Sequence, residues 1–189
     1  MRAGRYIRQA NNYRAFIPEP LPPSPPIEYD NELTLLLSKA DRCLGRLDGV
    51  TSVLPNPDPF VAMLSSQIEG TQSTLEDVLQ FEIDAYGHDI PKDVHEVVNY
   101  VRAMNFGIGR LSELPLSLRL IREIHGELLK GVRGEGKNPG EFRKSQNWIG
   151  PANSGLSGAA FVPPPVHEMT AALGDLEKFL HDDSYPVLI

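Results

Sequence analysis

Two runs decide the fold. The first is Pro139-Gly140-Glu141-Phe142-Arg143-Lys144-Ser145-Gln146-Asn147-Trp148-Ile149-Gly150, and the second is Ala159-Ala160-Phe161-Val162-Pro163-Pro164-Pro165. The surrounding stretch, 131–165, is rich in Gly, Pro, Asn and Ser. Within it, Asn147-Trp148-Ile149 and Ala159-Ala160-Phe161-Val162 form two short apolar or aromatic islands. Pro151, Asn153, Ser154, Gly155 and Gly158 lie between them. Turn formers between two short apolar runs predict a long β-hairpin or paired extended flap over about 141–165.

Outward from this flap the pattern is helical. After Pro115, Leu118, Ile121, His125 and Leu128 fall on one stripe, and Gly131 ends the helix. Behind the flap, Val166, Met169, Leu173, Leu176 and Leu180 predict a last amphipathic helix. Further upstream, Asp30 or Asn31 can cap a helix whose face carries Leu33, Leu36, Leu37, Ala40, Leu44 and Leu47. Pro55, Pro57 and Pro59 break it. A short helix follows over about 60–70, stopping at Gly70. Ser73 and Glu76 make a capping box for the next one. Asp93 is placed to cap a further helix with Val94, Val97, Val98 and Val101 facing inward. The fold class is therefore mainly α with a β-hairpin flap.

The first 29 residues read as a proline-rich arm, because Pro18, Pro20, Pro22, Pro23, Pro25 and Pro26 forbid a helix or a central strand. A helical region over 30–112 and a second region over 113–189 complete the organisation. The end, Val187-Leu188-Ile189, is apolar where termini are usually polar and loose, so the sequence reads as truncated.

Composition narrows the function. The chain has 189 residues with 18 Lys+Arg against 25 Asp+Glu, a net charge of −7. That argues against nucleic-acid binding by bulk charge. No apolar run is long enough for a membrane span. The N-terminus lacks a secretory signal. The single Cys43 excludes an internal disulfide and reads as core filler. A cytoplasmic setting is the default.

Familiar active-site patterns fail. Gly131-Val132-Arg133-Gly134-Glu135-Gly136-Lys137-Asn138 nearly spells a phosphate-binding loop. However, Asn138 replaces the Ser or Thr that meets magnesium, and the run follows a helix rather than a strand. Gly155-Leu156-Ser157-Gly158-Ala159 lacks the strand–turn–helix context of a nucleophile elbow. His125, on its apolar stripe, reads as a satisfied, partly buried histidine. No histidine pair has helix-borne zinc spacing.

One local rule is broken, at Ser65-Ser66-Gln67-Ile68-Glu69-Gly70. Ser65 and Glu69 share a helix face. Glu69 sits in the last turn, where the helix dipole disfavours a carboxylate by about 0.3–1 kcal/mol. A carboxylate displayed there suits a cation, most simply an arginine held bidentately.

The run Ser65-x-x-x-Glu69-Gly70 resembles the inhibitory motif of the Fic family. The resemblance extends through Glu96-Val97-Val98-Asn99-Tyr100 and Ala103, and through Ile121 to Gly134. It continues in Pro139-Gly140-Glu141-Phe142-Arg143, Gln146-Asn147-Trp148-Ile149-Gly150 and Phe161-Val162-Pro163-Pro164-Pro165. It implies a Fic-like helical bundle with a flap, cut before the catalytic helix-loop-helix. It also implies an activity for the full-length protein: transfer of AMP from ATP, with Mg2+, to a Ser, Thr or Tyr hydroxyl of a target.

The family's His-Pro-Phe and Gly-Asn-Gly loop is absent from this sequence. The resemblance therefore implies no catalytic residue here, no ATP or metal bound by this stretch alone, and no activity in isolation. It does imply that Ser65, Glu69 and Gly70 form an inhibitory helix end, with Glu69 pairing an arginine of the catalytic loop. It further implies that Gln146, Asn147, Trp148, Ile149, Gly150, Phe161, Val162 and Pro163 form an edge where the target protein docks. A homodimer fits the same reading; membrane and nucleic-acid partners do not. The alternative is a non-enzymatic, antitoxin-like inhibitor acting in trans on a Fic enzyme. Such an inhibitor needs the glutamate-bearing helices but not the flap.

Overall fold

The computed structural model describes residues 3–52, 92–151, 153–186 and 188. Among these the protein is mainly helical, with one small antiparallel hairpin. In chain order the elements are β1 (Gly4–Arg8), β2 (Arg14–Pro18), α1 (Asn31–Thr51), α2 (Lys92–Arg110), α3 (Leu118–Leu128) and α4 (Val166–Leu180). The chain divides into two compact units. One comprises residues 1–33 and 142–189, the other 34–141.

In the second unit α2 packs on α3. Val94 and Val97 are fully buried on α2, with Tyr100 and Val101 packed around Val97. Burying side chains of this size contributes about 1.5–3 kcal/mol each. The sequence-predicted inward face of α2 is thus observed, although the helix opens at Lys92 and Asp93 lies inside its first turn. Ser117 caps α3, its hydroxyl accepting from Leu120 N–H at 3.3 Å.

The stripe of α3 needs correction. Leu120 is buried, while Ile121 and His125 are exposed. The helix is turned so that Leu120 and Ile124 face inward. Gly107 of α2 makes room for this: a Cβ at that position would lie 2.6 Å from Ile124 Cδ1. Both faces of α3 carry leucine and isoleucine, and the opening at Gly107 selects one.

Asp30 caps α1 as anticipated, accepting from Leu33 N–H at 2.8 Å. The leucine face does not behave as anticipated. Leu36, Leu44 and Leu47 are 50–59% exposed, and Cys43, read as core filler, is exposed as well. Among the described residues no other element packs against α1 to a comparable extent.

In the first unit, part of the expected extended arm is a β-hairpin. Arg8 faces Arg14, Tyr6 faces Phe16, and Gly4 faces Pro18. Asn12 takes φ +62 in the connecting turn, a left-handed conformation that asparagine tolerates. Ala15 is fully buried. The residues after Pro18 are in neither helix nor strand, in keeping with their prolines.

Candidate functional site

α3 grips the chain at Gly140 and Glu141. Gly140 N–H donates to His125 Nδ1 at 2.8 Å, and Arg122 Nε donates to Gly140 C=O at 2.7 Å. The same guanidinium pairs with Glu141. Two side chains one helical turn apart therefore take both main-chain polar groups of one residue. An imidazole whose Nδ1 accepts carries its proton on Nε2. Gly140 has φ +79, and a Cβ there would stand 2.9 Å from Arg122 C=O, so only glycine fits without displacement. Far from being a partly buried core residue, His125 is exposed and spends its ring nitrogen on this contact.

Beyond Glu141 the flap's two arms are tied together by side chains that reach carbonyls. Arg143 donates to Ser145 C=O at 3.0 Å and to Pro164 C=O. Partial burial lowers the Arg143 pKa from its ordinary value, and the nearby Tyr13 opposes that shift. Gln146 Nε2 donates to Pro163 C=O at 2.9 Å and to Asn147 C=O at 3.1 Å. Ile149 and Phe161 then form a single antiparallel bridge. Ile149 N–H donates to Phe161 C=O at 2.8 Å, and Phe161 N–H donates to Ile149 C=O at 3.0 Å. The expected paired flap is present, with one bridge rather than a long ladder. Asn153 at φ +68 and Gly155 at φ +60 turn the chain between its arms.

The two arms differ in what they leave open. Val162 is 3% exposed, and its carbonyl accepts from Phe16 N–H at 2.8 Å. The Phe16 ring lies 6.0 Å from that of Phe161. The outgoing arm is thus covered by β2. The incoming arm is not: Trp148 is 44% and Ile149 67% exposed. Ile149 turns both main-chain groups toward Phe161, and Trp148 and Gly150 flank this single bridge. An outward-facing edge with two apolar side chains can accept another strand by main-chain hydrogen bonding.

Of the sequence-predicted docking residues, the structure pairs Gln146 with Pro163 and Ile149 with Phe161. Trp148 and Ile149 are displayed, and Val162 is buried. Ser65, Glu69 and Gly70 lie outside the described residues. The near-P-loop run is a series of turns after α3, with Gly131 at φ +66 and Gly134 at φ +107, and no helix starts at Asn138. Among the described residues no group of three His, Cys, Asp or Glu is placed to hold a metal, and no helix is long and apolar enough to cross a membrane.

Sequence reasoning missed Asn99. It is 7% exposed on α2, and its amide donates to Leu128 C=O at 3.2 Å and Lys130 C=O at 2.6 Å. It thereby satisfies carbonyls left open at the end of α3. A polar residue at a buried helical phase was the available signal. Arg110 adds a second tie, donating to Glu123 at 3.0 Å, while Arg119 donates to the other Glu123 oxygen at 2.9 Å. The hydrogen bond from Arg110, then that from Arg119, holds the Glu123 carboxyl below its ordinary pKa against a weaker opposing effect of burial.

Residues 34–109 match the family model described as Fic/DOC family N-terminal. The matched stretch contains most of α1 and of α2, together with the Ser65–Gly70 run. No curated protein matches the chain.

Proposed function

We propose that this chain is the N-terminal regulatory and flap part of a Fic-type protein adenylyltransferase, which moves AMP from ATP onto a hydroxyl side chain of a target protein. The observation that carries the reading is the exposed segment at Trp148-Ile149-Gly150, bridged at Ile149 to an arm that is itself already covered. It lies outside the residues of the family match, so the two support the reading separately. A target segment would add to this edge through the main-chain groups of Trp148 and Gly150.

The regulatory side of the proposal rests on Glu69. Its carboxylate would hold an arginine of the catalytic loop, and that arginine would then be unable to receive the ATP γ-phosphate. Ser65 would fix the helix end. ATP and Mg2+ belong to a loop this sequence does not contain: there is no His-Pro-Phe and no Gly-Asn-Gly. The residues present do not fit either group, so no chemical step is assigned to them.

The test is AMP incorporation by the full-length protein from labelled ATP. Ile149→Asp should lower labelling of the target by about tenfold or more, because a charge on an apolar docking edge disfavours the complex. The 189-residue chain alone should label nothing. Target labelling unchanged by Ile149→Asp would contradict the docking role.

A further inference from the structure

Residues 1–18 carry Arg2, Arg5, Arg8 and Arg14 and no carboxylate, in a chain whose net charge is −7. The hairpin sets Arg8 directly opposite Arg14. Like charges facing each other across two strands are destabilising. Among the described residues neither guanidinium pairs with an acid. Neutral groups hold both instead. Arg8 donates through Nε to Asn12 Oδ1 at 3.0 Å, with a second contact through Nη2. The guanidinium carbon of Arg14 lies 5.7 Å from the centre of the Tyr6 ring. Two cations are thus placed on one face with their charge uncompensated, a local conflict of the kind that marks functional sites.

Beside this face is a pocket of about 410 Å3, between the hairpin and the flap turn. Tyr6, Asn12, Tyr13 and Arg14 line it from the hairpin, and Ser157 and Val162 are among the flap residues that close it. No carboxylate lines it. Asn12 has given its oxygen to Arg8, so its remaining polar group is the NH2, a donor. Arg14 can only donate, and the hydroxyls of Ser157, Tyr6 and Tyr13 can each supply a proton. A pocket of donors around one fixed guanidinium suits a tetrahedral oxyanion, which arginine can take bidentately. The volume exceeds what an inorganic ion fills, and the tyrosine rings and Val162 offer apolar surface to an organic group.

We propose that this pocket binds a phosphate monoester, with its phosphoryl oxygens on Arg14, Asn12 and Ser157 and its organic part against the aromatic and aliphatic walls. The phosphate can be that of a phosphorylated side chain or of a mononucleotide. The site stands apart from AMP transfer: none of these residues lies on the exposed edge at Trp148-Ile149-Gly150 or in the stretch 34–109.

The test is an NMR titration of the 15N-labelled chain with inorganic phosphate, O-phosphotyrosine and AMP, with tyrosine and adenosine as phosphate-free probes. The expected result is a saturable shift of the Asn12 side-chain NH2, the Arg14 Nε–H and the Ser157 amide. Binding should be in about the millimolar range or tighter. One of the two esters should bind tighter than inorganic phosphate, which identifies the source. Arg14→Gln should weaken binding by about ten- to a hundredfold, with part recovered in Arg14→Lys. Asn12→Gly keeps the left-handed turn and removes the amide, so it should weaken binding while the hairpin stays formed. Arg5 lies on the opposite strand face by the two-residue period, and Arg5→Gln should change affinity by no more than about twofold. The proposal is overturned if no probe gives a saturable shift, if tyrosine and adenosine bind as tightly as their phosphorylated forms, or if Arg5→Gln costs as much as Arg14→Gln.

Discussion

Helix α1 and the α2–α3 pair are built from similar material and end in opposite situations. Each carries apolar residues at helical spacing. On α2, Val94 and Val97 are fully buried, and α3 contributes Leu120 at 1% exposure. On α1, Leu36, Leu44 and Leu47 remain half open to solvent. Among the described residues, directional contacts join α2 to α3. Asn99 of α2 satisfies the carbonyls at the end of α3, Arg110 reaches Glu123, and Gly107 admits Ile124. An amphipathic face supplies the capacity for burial; directional contacts supply the partner and its phase.

This contrast can be broken most sharply by truncating one leucine from each side. Leu120→Ala should cost about 2–5 kcal/mol, because a fully packed side chain leaves a cavity. Leu47→Ala should fall within about 0.5 kcal/mol, as for other exposed positions. Chemical denaturation of both variants reads the difference. Equal losses would mean that α1 is packed as tightly as α3.

Asn99→Ala comes next. It leaves two carbonyls near the end of α3 without their donor, and should cost about 1–3 kcal/mol. Thermal unfolding should register a lower Tm, while Asn99→Ala leaves the near-neutral behaviour of Leu47→Ala untouched. A smaller loss, about 1–2 kcal/mol, is expected for Gly140→Ala from the left-handed backbone alone, before any displacement from Arg122. His125→Ala should accompany it, with faster hydrogen exchange at the Gly140 amide but not at Leu120. An unchanged Gly140 rate would show that His125 does not hold the Gly140 amide.

How far these features were legible in the sequence follows from the same contrast. The helices announced themselves through periodicity, and α1 also through its cap at Asp30. The flap announced itself through Asn147-Trp148-Ile149 and Phe161-Val162 on either side of turn formers. The phase of α3 was not legible, since Leu118 and Ile121 compete with Leu120 and Ile124 until Gly107 is brought opposite. The N-terminal hairpin left a readable trace, Arg5-Tyr6-Ile7 and Arg14-Ala15-Phe16 around Asn11-Asn12, but the neighbouring prolines dominated that region. The clamp on Gly140 joins residues 15 and 18 positions apart and carries no local pattern. Of the candidate site, the flap residues could be placed, whereas Ser65 and Glu69 rest on sequence alone.

The smallest expected effect concerns pH. The folded-state pKa of Glu123 is depressed, chiefly by its hydrogen bond from Arg110. A depressed carboxyl contributes stability that is present above its unfolded pKa, in the ordinary range of about 4.3, and is lost as pH falls through the folded value. Stability should therefore decline on acidification below about pH 4.5. Glu123→Gln should flatten that part of the profile. A profile of the same slope in both proteins would remove Glu123 from the acid response.

The proposed latch at Glu69 on AMP transfer is tested most directly by AMP incorporation by the full-length protein, wild type beside Glu69→Gly. If the Glu69 carboxylate holds the arginine of the catalytic loop, its removal should raise labelling by about 10- to 100-fold, the equivalent of one charge-assisted pair. Ser65→Ala should act in the same direction and more weakly. Labelling in Glu69→Gly equal to or below that of the wild type, with the fold intact by circular dichroism, would contradict the claim.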